Sequence, residues 1–132
     1  MPYTYIWIQL LEKEKIKFSN PLGEWIRVKF PGITALDFDN YSEKFVVDPI
    51  IDRAAGSEKL IVEIHAADNV EPGPVTRFMN RLTRKKTNIL IAFSGHSPII
   101  EKMIGVFDQK FVMTNPTIRQ VKEAITGFLS DK

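Results

Sequence analysis

The chain contains two histidines, His65 and His96, and each stands among groups with which it could share a proton. Around the second the sequence reads Ser94-Gly95-His96-Ser97. With Asp68 or Glu63 these residues supply a hydroxyl, an imidazole and an orienting carboxylate, the types that a nucleophilic triad needs. The G-x-S-x-G elbow that lifts a serine out of a strand-to-helix turn is absent. Ser97 has a simpler task, capping a helix that opens at Pro98. His96 reads as an exposed loop histidine, able to hydrogen-bond a molecule lying beside it. Glu63 and His65 are two apart in an apolar run, so on a strand they point to one face, where acid-base work or a metal would want them. Two ligands do not make a metal site, and a polar pair near a strand's carboxyl end is commonly satisfied by a neighbouring helix or loop.

Other chemistries are excluded outright. Neither a Walker sequence nor G-x-G-x-x-G is present, which removes the usual backbone cradles for a phosphate chain. With no cysteine there is no thiol nucleophile, disulfide or thiolate metal cluster, and the usage fits a reducing compartment. Met79 and Met103 fall on helical apolar stripes and read as core. No adequate catalytic constellation emerges, so the expectation is a protein that is not an enzyme and carries no cofactor or metal.

The cations are unevenly placed. Up to Ala66 there are 8 basic and 10 acidic side chains, and beyond it 10 basic and 6 acidic. Arg77, Arg81, Arg84, Lys85 and Lys86 fall close together with no carboxylate between them. Such a run attracts phosphate or an acidic partner surface; it also suits the solvated end of a helix, where the macrodipole favours cations. No aromatic platform is interleaved with it, which argues against nucleic acid.

The elements that must position these groups follow from composition and period. At 132 residues, 44% hydrophobic, the chain is one domain with one core, and 26% charged residues with a net charge of +2 is not a disordered composition. No 18 apolar residues run uninterrupted, and the charged segment Met1 to Lys15 has no small-residue cleavage site. Neither a membrane-spanning helix nor a signal peptide is read, and the expected setting is cytoplasmic. Tyr3 to Leu11 and Trp25 to Phe30 alternate as two antiparallel strands would, with Asn20-Pro21-Leu22-Gly23 a turn between them. Thr34 to about Ala54 has helical spacing, with Thr34 as N-cap and Pro49 as an interruption. Then come the strand LIVEIHA from Leu60, a helix on Val75, Phe78, Met79 and Leu82, and the strand NILIAF from Asn88. A helix from Ile99 to Phe107, a short strand at Phe111 to Met113 and a helix from Ile118 to Phe128 complete the order. That order calls for a largely parallel sheet with right-handed crossovers. Three helices open on Gly73-Pro74, Ser97-Pro98 and Asn115-Pro116, where proline's missing N–H costs nothing. The edge bearing Ala67 to Pro74 and Ser94 to Pro98 is where open α/β sheets place their sites.

On several of these stretches the chain resembles STAS domains, the anti-sigma-factor antagonist family also found in sulfate-transporter tails. EWIRVKFPG resembles the family's second strand and ITALDFDNYSEKF the helix after it. KLIVEIHAADNVEPGPV is similar to the central strand and switch loop, NILIAFSGHSPIIEKMIGVF to the next strand, turn and helix, and FVMTNPTIRQVKEAI to the last strand and helix. The resemblance implies an α/β fold with a mixed sheet of four to five strands, mostly parallel in its C-terminal part, with amphipathic helices packed on it. It also implies a regulatory partner protein, an anti-sigma factor or kinase. In the family an aspartate and a phosphorylated serine open the helix after the central strand; here Glu71 and Pro72 stand in those places, so the serine switch is not expected.

Two functions are therefore carried forward. One is a non-enzymatic interaction module docking a protein partner through Asp68, Asn69, Glu71, Gly73, Thr76, Arg77 and Arg81, with no nucleic acid or membrane involved and a homodimer left open by Tyr3, Tyr5 and Trp7 on one strand face. The other is a binder of a small apolar or anionic, lipid-like ligand in a crevice at Ser94, His96 and Ser97.

Overall fold

In the computed structural model, which describes residues 3–85 and 88–130, strand and helix alternate from one end to the other. β1 (Tyr3–Leu10) leads through a 3-10 turn at Lys13–Lys15 into α1 (Pro21–Lys29), and β2 (Thr34–Asp39) into α2 (Lys44–Ala55). β3 (Lys59–Ala66) is followed by α3 (Val75–Lys85), and β4 (Ile89–Gly95) by α4 (Pro98–Ile104). A second 3-10 turn, Gln109–Phe111, precedes β5 (Val112–Thr114), and α5 (Ile118–Ser130) ends the described chain. The fold is α/β, with five strands in the order β2-β1-β3-β4-β5 and helices packed on the sheet. Every pairing is parallel.

Burial explains the strand sequences. Side chains alternate across a sheet, and both faces here are covered, so the central strands are apolar at nearly every position. Ile6, Ile8 and Leu10 of β1 join Leu60, Val62 and Ile64 of β3 and Ile91 and Phe93 of β4 in a core closed by α2, α3 and α4. Tyr5, Trp7, Ile61, Leu90 and Ala92 face the other way, against Leu22 and Ile26 of α1 and Val121 and Ile125 of α5. Met79 is wholly buried, and Met103 packs at the edge of the first core. Tyr5 and Trp7 are thus covered by this chain's own α1.

The N-terminal third departs from the alternation reading. Trp25 to Phe30 is not a strand; it lies in α1, which buries Leu22, Gly23 and Ile26 and leaves Val28 84% exposed. Leu22 and Ile26 are one helical turn apart, and Asn20-Pro21 opens the helix with proline at its first position, the same device used elsewhere in the chain. Thr34 starts β2 instead of capping a helix, and it pairs with Thr4 of β1. The sheet therefore has no antiparallel N-terminal pair, and the EWIRVKFPG and ITALDFDNYSEKF stretches are not the strand and helix that the STAS resemblance implies. Pro49 does not interrupt α2; it sits on the exposed side and the helix runs through it. At α5 the start is not Pro116 but a capping box: the Gln120 N–H donates to Thr117 Oγ1 at 3.1 Å, and the Thr117 N–H donates to Gln120 Oε1 at 2.8 Å. Among the described residues no helix is long and apolar enough to cross a membrane.

The loops at the carboxyl ends of the strands are stitched together. Asn40, 8% exposed, accepts from the Leu11 N–H at 3.2 Å and donates to the Glu71 carbonyl at 3.2 Å, tying the ends of β1, β2 and β3. Gly95 has φ +100°, and a Cβ there would lie 1.8 Å from the Ala66 carbonyl oxygen. Gly95→Ala is expected to lower stability by at least about 2 kcal/mol, combining backbone strain with a clash against fixed backbone. Gly32→Ala, with nothing within 4 Å of the added methyl, should stay within about 0.5 kcal/mol. Urea unfolding of the two variants beside the wild type checks the pair; an equal effect would overturn the contact at Gly95.

Candidate functional site at the crossover of β1 and β3

In this strand order the chain leaves β1 toward the face of α1 and leaves β3 toward the face of α3. The loops after these two neighbouring strands part, and open α/β sheets hold ligands in the crevice that results. A recess of about 170 Å³ lies there. Its floor is the sheet face carrying Trp7, Gln9, Glu63 and His65, and its walls are the loop after β1, the head of α1 and Ile118 of α5. Register sets the floor: Trp7 is beside Glu63 and Gln9 beside His65.

Glu63 organises the polar groups. Buried on the sheet, its Oε1 accepts a short hydrogen bond from the Tyr5 hydroxyl. Its Oε2 faces His65 Nε2 at 2.9 Å. The Tyr5 oxygen in turn accepts from Asn20 Nδ2 at 2.8 Å. Burial, and then the charge of Glu63, push the Tyr5 hydroxyl far above the ordinary phenol range, so it remains a donor. A carboxylate only accepts, so Nε2 of His65 carries the hydrogen, and in the neutral ring Nδ1 is a bare acceptor. Nδ1 has no partner among the described residues, and the His65 side chain is 43% exposed. Gln9 spends both ends of its amide on the Lys17 backbone, donating to its carbonyl and accepting from its N–H at 2.8 Å each, which pins the loop over the recess. The indole N–H of Trp7, shut off from solvent, has no acceptor among the described residues.

The arrangement offers a bare imidazole nitrogen, oriented by a buried carboxylate, beside an apolar cavity. It can bind a hydrogen-bond donor or accept a proton. Among the described residues no three histidine, aspartate or glutamate side chains gather closely enough to hold a metal ion.

The residues singled out from sequence lie elsewhere on the carboxyl edge. Asp68, Asn69 and Glu71 are exposed in the loop after β3, Asn69 with φ +58°. Gly73 has φ +54° and packs on the Asn40 carbonyl, where a Cβ would stand 2.3 Å away. Thr76 donates back to the Gly73 carbonyl at 3.2 Å. His96 lies between two carboxylates, Nε2 at 3.4 Å from Asp68 and Nδ1 at 3.0 Å from Glu101. Ser97 holds the N-cap position of α4 without a side-chain capping bond; its backbone N–H donates to Glu101 at 3.0 Å. Ser94 is the next-to-last residue of β4, and the His96 N–H donates to the Ala66 carbonyl at 3.3 Å. The two loops read from sequence as crevice walls are laced to each other by these contacts.

Arg77 and Arg81 face α2. Arg77 bonds Asp48 at 2.8 Å, and with Lys44, Arg81 and Arg84 it lines a broad groove of about 510 Å³. The hydrogen bond from Lys44, then that from Arg77, hold the Asp48 carboxyl below the usual range. Lys86, the last cation of the run, lies outside the described residues. The groove is larger than the recess, but its rim is of partly or fully exposed charges, whereas the central groups of the recess are fixed by burial and hydrogen bonds.

No protein-family model matches the chain, and no curated protein matches it. The site therefore rests on geometry. Its missed members are Trp7, Gln9 and Asn20; the available signal was a polar residue, Gln9, in an otherwise apolar central strand, opposite the Glu63 and His65 pair.

Tyr5→Phe removes the donor to Glu63 and the acceptor for Asn20, and is expected to cost about 1–3 kcal/mol at pH 7. The wild type should lose that advantage in alkali. The native hydroxyl keeps its proton while the unfolded one ionises near pH 10, so the contribution is complete below about pH 10 and falls as pH rises. Urea unfolding between pH 8 and 11 checks this; a gap between wild type and variant that stays constant over the range would contradict it.

Proposed function

We propose that the protein binds a small molecule in the recess between β1, β3, α1 and α5, and that His65, held by Glu63, makes the decisive polar contact. The observation that carries this is the unpartnered Nδ1 of His65, fixed over an apolar-walled cavity at the point where the strand order reverses. A buried carboxylate that turns one of its oxygens to orienting a partly exposed imidazole is more than packing requires. Binding without catalysis, in the cytoplasm, is the form of this reading.

The test is protein-observed NMR with a set of single-ring fragments. Fragments that bind should shift the Trp7 indole and His65 resonances saturably. Ile118→Trp, a change at a 53% exposed wall residue that leaves the core intact, should close the mouth and weaken them at least tenfold. Binding that ignores Ile118→Trp, or shifts confined to other surfaces, would refute the assignment.

A second reading, an interaction module for an acidic protein partner, is supported by Arg81 and Arg84. They stand about one turn apart on α3 and have no ion-pair partner among the described residues. Kinship with STAS domains would then rest on the chain from Lys59 onward, where strand, loop and helix follow the implied order. Affinity capture with wild type beside Arg81→Glu/Arg84→Glu tests it: a partner lost on charge reversal and at high salt supports docking, and equal recovery of every partner removes it.

A further inference from the structure

Resting on the recess as a binding site, we infer that it selects a single-ring ligand presenting N–H donors, a primary amine or an amidine, over an anion of the same size.

Three of the polar groups held in place at the recess present acceptor character to a ligand. In the neutral ring Nδ1 of His65 is an acceptor, with no partner among the described residues. Asn20 lines the same recess, and its orientation is settled by its bond to Tyr5: the Tyr5 hydroxyl gives its hydrogen to Glu63, so its oxygen must accept, the Asn20 amide nitrogen must donate, and Oδ1 is left over. Oδ1 has no donor among the described residues. Glu63 adds a fixed negative charge that no lysine or arginine pairs with among the described residues; Arg27 of α1 acts on neighbouring Tyr5 only through space. A charge held in a poorly solvated site acts on a ligand more strongly than a solvated one does. Of the nearby donors, the Tyr5 hydroxyl is committed to Glu63; the Asn20 and Gln9 amides each give one hydrogen, to Tyr5 and to the Lys17 carbonyl, and keep a second, and the Ser19 hydroxyl can donate or accept. The Trp7 N–H, though unpartnered and enclosed, belongs to an indole whose residue is 8% exposed and lines the apolar side.

One opposing group lies at the mouth. Lys17 is exposed, and its ammonium would favour an anion. It rides on a flexible stem in solvent, where screening cuts its reach, whereas the acceptors are held in place. Size sets the body of the ligand: about 170 Å³ compares with the roughly 150 Å³ that takes a benzene ring, and Trp7, Leu22 and Ile118 supply apolar walls.

Benzylamine, benzyl alcohol and benzoate share one ring and differ in the group they present, so they serve as probes, titrated while following the Trp7 indole and His65 resonances. The expected order is benzylamine tighter than benzyl alcohol by tenfold or more, with benzoate weakest. Glu63→Gln, which keeps the shape of the side chain, should bring benzylamine to the level of the alcohol. If that variant does not fold, His65→Ala, at a side chain that is 43% exposed, should instead weaken benzylamine several-fold as read at Trp7. Benzoate binding as tightly as benzylamine, or His65→Ala leaving the amine unchanged, would overturn the selectivity while leaving the recess a binding site. No shift at Trp7 or His65 with any of the three would overturn the binding site itself.

Discussion

A carboxylate buried on a sheet face between two helices must be satisfied from within the fold, and the neighbourhood of Glu63 is arranged around that requirement. Isolated charge in the interior is too costly to stand without hydrogen bonds. Tyr5 reaches Glu63 from the same strand face of β1, and the Tyr5 oxygen then needs a donor, which Asn20 supplies from the residue just ahead of α1. One buried group thus fixes where α1 begins and how it lies over the sheet. The second oxygen is met by His65, a partly exposed side chain, so the network ends at a nitrogen open to solvent. Buried charge and reachable acceptor are two ends of one chain of bonds.

The rest of the molecule supports that edge. The Glu63 network belongs to the smaller core, beneath α1 and α5. Two helices cover the second face of a five-stranded sheet, and the recess is part of the space they leave at the carboxyl ends of β1 and β3. Asn40 and the two left-handed glycines draw the loops on the other side into contact, which concentrates the opening on one side of the edge.

What could be read from sequence divides at about Gly56. Beyond it, LIVEIHA and NILIAF are apolar on both faces, and their helices carry clear apolar stripes, so period alone distinguishes them. Before it, six residues from Trp25 to Phe30 alternate by chance, while Ile26 also stands a helical turn after Leu22, and a segment that short fits both periods. TALDFD failed for the opposite reason: β2 is an edge strand of mixed burial, and its acidic residues suggest a helix's first turn. The site was only half legible. Glu63 and His65 share a face by strand geometry alone, but the residues that give the pair meaning, Tyr5, Trp7 and Asn20, are about forty to sixty positions away and become neighbours only through parallel pairing.

That pairing also bears on how the chain assembles. In a sheet with no hairpin even consecutive strands pair only across a crossover, and β1, the first of these strands to be synthesised, sits between two partners that emerge later. The hydroxyl contact between Thr4 and Ser57 spans 53 positions. Such topology gives slow folding through long loop closures, so on the ribosome the apolar YTYIWIQL segment leaves the exit tunnel well before β3 exists to cover it, and this is the stretch a chaperone would be expected to grip.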